Sequence, residues 1–308
     1  MCRAMVYLGQ PVLIDDLIYQ PDSSMVKQSF MPRMLHMLNL AGFGMMAWDR
    51  QSHDPDRPHA YRATSLPVFD RNLESLARKV RADCAIAHVR GVAYNTEVVI
   101  SLQNTHPFHF PDVALAMAHN GDLYRIDEMK PMLAPHIRPE FMRQIRGTTD
   151  SEWVYALLIS QLAEPAIPPD GPELRQAVEA TLRILRRARA ACGIDTSSSL
   201  NLFMADGRSL AAVRFCFDFG RFRLNGAGSV HEANLNFLSL WYTSGREFGF
   251  HEGEWKMIGG SEAADSIIVA SEPLSLDTTA WLQVPEYGML YATTDAGRPS
   301  IDIHYLDA

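Results

Sequence analysis

The second residue of the chain is a cysteine, and three later stretches carry polar side chains at the ends of apolar runs. Cys2 is small enough for an aminopeptidase to clip Met1 before it. The thiol would then share its residue with a free α-amine, which titrates near roughly 7.7–8.0 against about 8.5 for a free thiol. That is a nucleophile with a base attached. AHVRG at 87–91 puts Arg90 at the end of an apolar strand, AHNGDL at 118–123 ends another in Asn120-Gly121, and TTDSEW at 148–153 puts Asp150 at a helix start. Singly, these read as a surface ion pair, a turn and a helix cap.

The elements that must position these residues are legible from patterning. The strand CRAMVYL opens the chain, and a Pro-, Ser- and Met-rich stretch to about residue 37 reads as irregular. A strand runs from the GFG of 42–44 through Trp48, and the polar segment 49–66 reads as a loop. The residues after Asp70 form a helix with Leu73, Leu76, Ala77 and Val80 on one face. CAIAHVR, VVISL and VALAMAHNG follow as strands. Thr149-Asp150-Ser151-Glu152 is a capping-box pattern ahead of an apolar helix, and a second helix begins near Pro172. A hairpin turns on Asp206-Gly207, and SIIVASEPL, GMLYATTD and SIDIHYL supply late strands. With strands early and late, helices in the middle and no βαβ alternation, the pattern predicts an α+β sandwich in one domain.

Composition narrows the function. The 308 residues are 47% hydrophobic and 21% charged, a globular composition, and the net charge of -8 argues against nucleic acid or an anionic membrane as partner. No apolar run reaches a bilayer span and no signal-peptide layout opens the chain. Cys2, Cys84, Cys192 and Cys216 lack CxxC or zinc spacing, which implies no structural metal and a reducing, cytoplasmic compartment. The last three read as inert core thiols. Met31, Met34 and Met37 read as core or loop packing, and Arg183, Arg186, Arg187 and Arg189 as a solvated helix face.

Taken in order, Cys2, the H-x-R strand end, the H-N-G turn and the T-D-S-E helix start resemble the class II glutamine amidotransferases, whose catalytic domain is of the N-terminal-nucleophile hydrolase type. CRAMVYLG, Gln28-Ser29, the GFG of 42–44, NTHPF at 104–108 and ASEPL at 270–274 strengthen the resemblance to stand-alone glutaminase-like members. These include the γ-glutamyl hydrolase of ergothioneine synthesis and the glutaminase-like subunit of a fungal glutathione-degradation complex. The resemblance implies a four-layer αββα sandwich over residues 2–308, Met1 being removed.

It also implies roles. Cys2 Sγ would attack the side-chain amide carbon of glutamine or of a γ-glutamyl compound, giving a γ-glutamyl thioester that water resolves. The Asn120 side chain and the Gly121 N–H would hold the oxyanion. Arg90 would grip the α-carboxylate, Asp150 the α-ammonium, and His106 would line the pocket. His88 and His119 would fix strand ends. Two departures stand out: Gly91 replaces the aromatic residue of synthase-type relatives, and Ala41 the Asp before the GFG. No cofactor is implied; a separate synthase subunit and a homodimer are compatible partners. The alternative is a γ-glutamyl-binding or regulatory protein that does not turn over, which a retained Met1 would favour. A papain-like Cys-His enzyme would need its Cys at a helix start, whereas Cys2 begins a strand.

Overall fold

The computed structural model describes residues 2–34, 38–92, 99–221, 239–260, 264–294 and 300–308. Strands β1 (Arg3–Leu13), β2 (Phe43–Trp48), β3 (His59–Ala63), β4 (Arg81–Val89), β9 (Trp241–Gly245), β12 (Ser266–Ala270) and β13 (Leu282–Gln283) form a seven-stranded sheet, ordered β13-β9-β12-β1-β4-β2-β3. A second sheet is ordered β15-β14-β7-β6-β5, from β5 (Ala116–Asp122), β6 (Ser198–Ala205), β7 (Ser209–Arg214), β14 (Gly288–Thr293) and β15 (Ser300–Tyr305), with β8 (Cys216–Phe217) also pairing β6. β10 (Glu247–His251) and β11 (Glu254–Ile258) make a separate hairpin. All the pairings are antiparallel.

Strand alternation builds the layers. In β1, Ala4, Val6 and Leu8 point between the sheets with Met46, Ile86, Ala116, Ala118, Phe203, Ala205 and Ala212. Met5 and Tyr7 point the other way, onto helices α1 (Ile14–Ile18), α2 (Met25–Phe30) and α3 (Arg71–Ala77). The outer face of the second sheet, with Met117, Leu200, Leu202 and Met204, packs against α4 (Ile126–Leu133), α5 (Pro139–Met142), α6 (Asp150–Ile159) and α7 (Gly171–Ala191). The result is the expected four-layer αββα sandwich. Helix α6 is almost wholly buried, in keeping with its all-round apolar sequence, whereas α7 buries one stripe running from Leu174 to Leu185.

Several local expectations need correction. The segment read as irregular contains α1 and α2, the latter capped by Ser24 Oγ accepting from Lys27 N. The loop 49–66 contains β3, an edge strand with His59 and Ala60 exposed. Residues 99–101 of VVISL are not a strand, and Val98 lies outside the described residues. Arg189 is no solvated side chain: it is 2% exposed, donates to Ser198 Oγ at 2.6 Å and pairs with Asp218 at 2.9 Å. Met31 is 65% exposed rather than packed, and Met37 lies outside the described residues. Cys84 and Cys216 are buried thiols that burial pushes up, Cys216 to about 11, but Cys192 is only half-buried at the end of α7.

Candidate active site

The site is built at one end of the layer between the sheets, where strand register brings the sequence motifs together. In the β1–β4 ladder Arg3 opposes Val89, so Cys2 falls beside Arg90 and Gly91. Gly91 N donates to Cys2 Sγ at 3.4 Å, and Gly91 O lies 3.5 Å from the same sulfur. A residue with a large side chain is absent here, and the thiol rests on bare peptide. Cys2 is 9% exposed. On the other flank of β4, Arg90 N donates to Gly42 O at 2.8 Å and Ala41 N donates to Arg90 O at 2.9 Å. The GFG segment thus extends the ladder past Phe43. A Cβ on Gly44 would lie 2.0 Å from His106 O, so glycine is required for that close approach.

The Arg90 side chain is buried and donates through Nη1 to Val99 O at 3.1 Å. Burial lowers the guanidinium's proton affinity, while Cys2 and Asp150 raise it. Asn104, from the NTHPF motif, buttresses this loop: its Nδ2 donates to Val99 O and Thr148 Oγ1, both at 3.0 Å, and its Oδ1 accepts from Thr148 N at 2.8 Å.

The second sheet contributes the end of β5 and the start of α6, tied by side chains. Asp150 Oδ2 accepts from Leu123 N at 2.8 Å, and its Oδ1 accepts from Ser151 N at 2.8 Å. His119 Nδ1 meets Ser151 Oγ at 2.9 Å and its Nε2 meets Ser199 O at 3.2 Å, so His119 fixes a strand end. Thr149 caps α6 by accepting from Glu152 N. The return half of the capping box is missing: Glu152 instead accepts from Arg146 N and Gly147 N, closing the loop ahead of the helix. Asn120, on the β5 face that carries Ala116 and Ala118, reaches across to the other sheet and donates to Ser271 Oγ at 3.0 Å. At Gly121 a Cβ would lie 2.0 Å from Ser199 O and 2.3 Å from His119 Nε2. Only glycine fits there.

His106 sits deeper than a pocket-lining residue. Its ring is 2% exposed, 4.1 Å from the ring of His88 and 4.6 Å from that of Phe108. Neither ring nitrogen of His106 has a hydrogen-bond partner among the described residues. His88 packs against the His106 ring and also meets the His119 backbone. Burial, helped by Arg90, lowers His88 to about 3, and burial beside His88 takes His106 well below the ordinary imidazole range. Both are neutral bodies packed on one another.

Sequence reasoning gave no role to Arg3 and Glu272. They oppose one another across the β1–β12 ladder, each 1% exposed, with Arg3 Nε 3.2 Å from Glu272 Oε2. Arg3 Nη1 donates to Cys2 O at 3.1 Å. Glu272 also accepts from Ser23 Oγ, Arg33 N and Met34 N at 3.0–3.1 Å, pinning the 23–34 segment near Cys2. The signal was available, since SIIVA is followed at once by the polar pair Ser271-Glu272. Among the described residues no group of three or more His, Cys, Asp or Glu could hold a metal, and no helix is long and apolar enough to cross a membrane.

The geometry assembles a thiol, a guanidinium, a carboxylate and a side-chain amide beside a glycine. Comparison with known proteins shows the family. The family model described as class-II glutamine amidotransferases matches residues 53–219. The yeast Saccharomyces cerevisiae protein named "Probable glutamine amidotransferase DUG3" is 29% identical over 325 residues, covering 99% of this chain and 86% of that one. A γ-glutamyl-hercynylcysteine sulfoxide hydrolase of Mycobacterium tuberculosis is 28% identical over 123 residues, 39% of this chain and 49% of that one. A glutamine aminotransferase class-II domain protein from Silicibacter pomeroyi shares the fold with a TM-score of 0.60 at 18% identity, covering 99% of this chain and all of that one. The B. subtilis glutamine PRPP amidotransferase does so at 0.54 and 17%, covering 99% of this chain and 49% of that one. The chain belongs to the class-II glutamine amidotransferases, an enzyme family.

Proposed function

We propose that this enzyme hydrolyses the γ-amide of glutamine or of a γ-glutamyl compound through a thioester on Cys2, with Met1 removed and residues 2–308 acting as one domain. The observation that carries the reading is the triple Cys2–Arg90–Asp150: strand register sets Cys2 beside Arg90, and the thiol and the Asp150 carboxylate both raise the guanidinium's proton affinity. A γ-glutamyl group needs that charge pattern: Arg90 for its α-carboxylate, Asp150 for its α-ammonium, and Cys2 at the amide carbon. The α-amine of Cys2 takes the thiol proton, the amide carbonyl becomes an oxyanion held by Asn120 and the Gly121 N–H, and ammonia or an amine leaves with that proton. Water then attacks the thioester and releases glutamate. His106 supports the site through its tilted ring contact with His88. The reaction takes place in the cytoplasm, where the thiol stays reduced. The ammonia passes to water or to a separate synthase subunit.

The test is intact mass before and after exposure to a glutamine-mimicking diazoketone, alongside glutamate release from glutamine and a panel of γ-glutamyl compounds. The expected result is a chain beginning at Cys2 that gains one adduct, lost in Cys2→Ala, and that releases glutamate. A chain that keeps Met1, takes no adduct and releases nothing overturns the reading in favour of a γ-glutamyl-binding protein.

A further inference from the structure

The ASEPL stretch contains the residue through which the two sheets meet at the catalytic end. Ser271 follows the last residue of β12 and stands opposite Ala4 in the β1–β12 register. Its N–H donates to Ala4 O at 2.9 Å, and its Oγ accepts from Ala4 N at 3.1 Å. Both peptide groups of Ala4, two residues past the nucleophile, therefore end on one side chain's residue. The same Oγ contacts Asn120 Nδ2 at 3.0 Å, across the interior from the other sheet. Ser271 is buried and Asn120 fully so.

The donors and acceptors do not balance in this orientation. A hydroxyl has one hydrogen and two lone pairs. With Ala4 N and Asn120 Nδ2 both donating to it, the Ser271 hydrogen has no acceptor among the described residues, and neither has Asn120 Oδ1 a donor. Amide nitrogen and oxygen exchange places by a half-turn of the Asn120 side chain, which fills the same space. After that turn the Ser271 hydroxyl donates to Oδ1, Ala4 N–H keeps its acceptor, and the atom left for a ligand is Nδ2. An NH2 group there is what an oxyanion takes.

We infer that Ser271 is a positioning residue: it holds the Asn120 carboxamide with Oδ1 on its own hydroxyl and Nδ2 free for the substrate oxyanion, while anchoring the nucleophile's strand through Ala4. This rests on the hydrolase reading above. It makes the distance between nucleophile and oxyanion donor depend on a single hydroxyl that touches neither substrate nor thiol.

The experiment has two arms. In an atomic-resolution crystal structure of the wild-type enzyme, Oδ1 of Asn120 lies against Ser271 Oγ; finding Nδ2 there overturns the inference, whatever the turnover. In a double-mutant cycle, Asn120→Ala lowers kcat by about 10²–10³. Ser271→Ala lowers it by about ten- to a hundredfold with KM little changed, and the double variant is no slower than Asn120→Ala alone. Ser271→Thr, which keeps the hydroxyl, restores most of the rate. Additive losses in the double variant would mean that Ser271 acts on the fold and not through Asn120. Melting temperature and iodoacetamide labelling of Cys2 report whether each variant is folded. If the wild type releases no glutamate, the hydrolase reading fails, and the crystallographic arm still decides the role of Ser271.

Discussion

On the seven-stranded sheet, Cys2 and Arg90 are placed by backbone register, since β4 runs between β1 and β2 and each residue follows the last rung of a ladder. On the six-stranded sheet, Asn120 and Gly121 are likewise held in register, opposite Asn201 and Leu200 of β6, but Asp150, at the start of α6, is placed by side chains instead. Asp150 reaches Leu123 N, Ser151 reaches His119, and Thr149 caps α6. The Cys2 half has side-chain locks too, the buried Arg3–Glu272 pair and the Ser271 hydroxyl on Ala4 N. A ladder distributes its load over many peptide groups, so single substitutions there should disturb chemistry without moving the scaffold. A helix start held by a few side chains couples recognition to local stability.

Substitutions can break or sharpen that contrast. Cys2→Ala should lose glutamate release by about 10⁴-fold or more while the melting temperature stays within a few degrees, because the ladder does not need the thiol. Glu272→Gln should cost about 3–5 kcal/mol in urea unfolding, since it leaves the Arg3 charge buried without its counter-ion, and the pair replacement Arg3→Met with Glu272→Leu should recover much of that. Gly121→Ala should lower kcat by about 10²–10³, because a Cβ 2.0 Å from Ser199 O forces the oxyanion donor out of place. Asp150→Asn should do two smaller things together. It should cut discrimination between free and N-acetylated γ-glutamyl substrates by about tenfold, and it should destabilise by about 1 kcal/mol through the weakened tie to Leu123. If it changes selectivity with no change in stability, the coupling of recognition to the helix start is wrong.

The smallest expected effect is a pH dependence from the paired histidines. His88 is lowered to about 3 and His106 also lies well below its ordinary range, so both are neutral when folded. In the unfolded chain they titrate near about 6.5. Between roughly pH 3 and 6.5 the unfolded state binds more protons, so this stability is complete above about pH 6.5 and drains away as the pH falls through that window. Melting temperatures at pH 7, 5 and 4 should drop less in His106→Phe than in the wild type. Equal drops would mean that the pair is not what resists protonation.

Much of this arrangement was legible before any coordinates. Regular alternation disclosed β1, β4, β5 and the late strands, and four ordered motifs disclosed the side chains to watch. What escaped was stabilised from elsewhere. Helices of five and six residues such as α1 and α2 have no propensity signal of their own and exist because β1 and β4 offer them an apolar face. The edge strand β3 is polar because one side of it meets solvent. Arg189 looked like part of a charged stripe, and only the approach of Ser198 and Asp218 gives it an interior. Among the functional residues, Asn104, Ser271 and Glu272 were visible as letters in motifs, but their work is done across sequence separations of 44, 151 and 269 residues. No local pattern encodes such a reach.

The alanines between the sheets carry one further consequence. Ala4, Ala116, Ala118, Ala205 and Ala212 let the two sheets close until Asn120 can touch Ser271. The inner layer is in effect a gauge block, its thickness setting the gap at the open end where bond-breaking is proposed to occur. Exchanging one of these methyls for an isopropyl group in mid-layer would reset that gap from a distance, with every reacting group still present. The rate of such an enzyme is written partly in side chains that its substrate never meets.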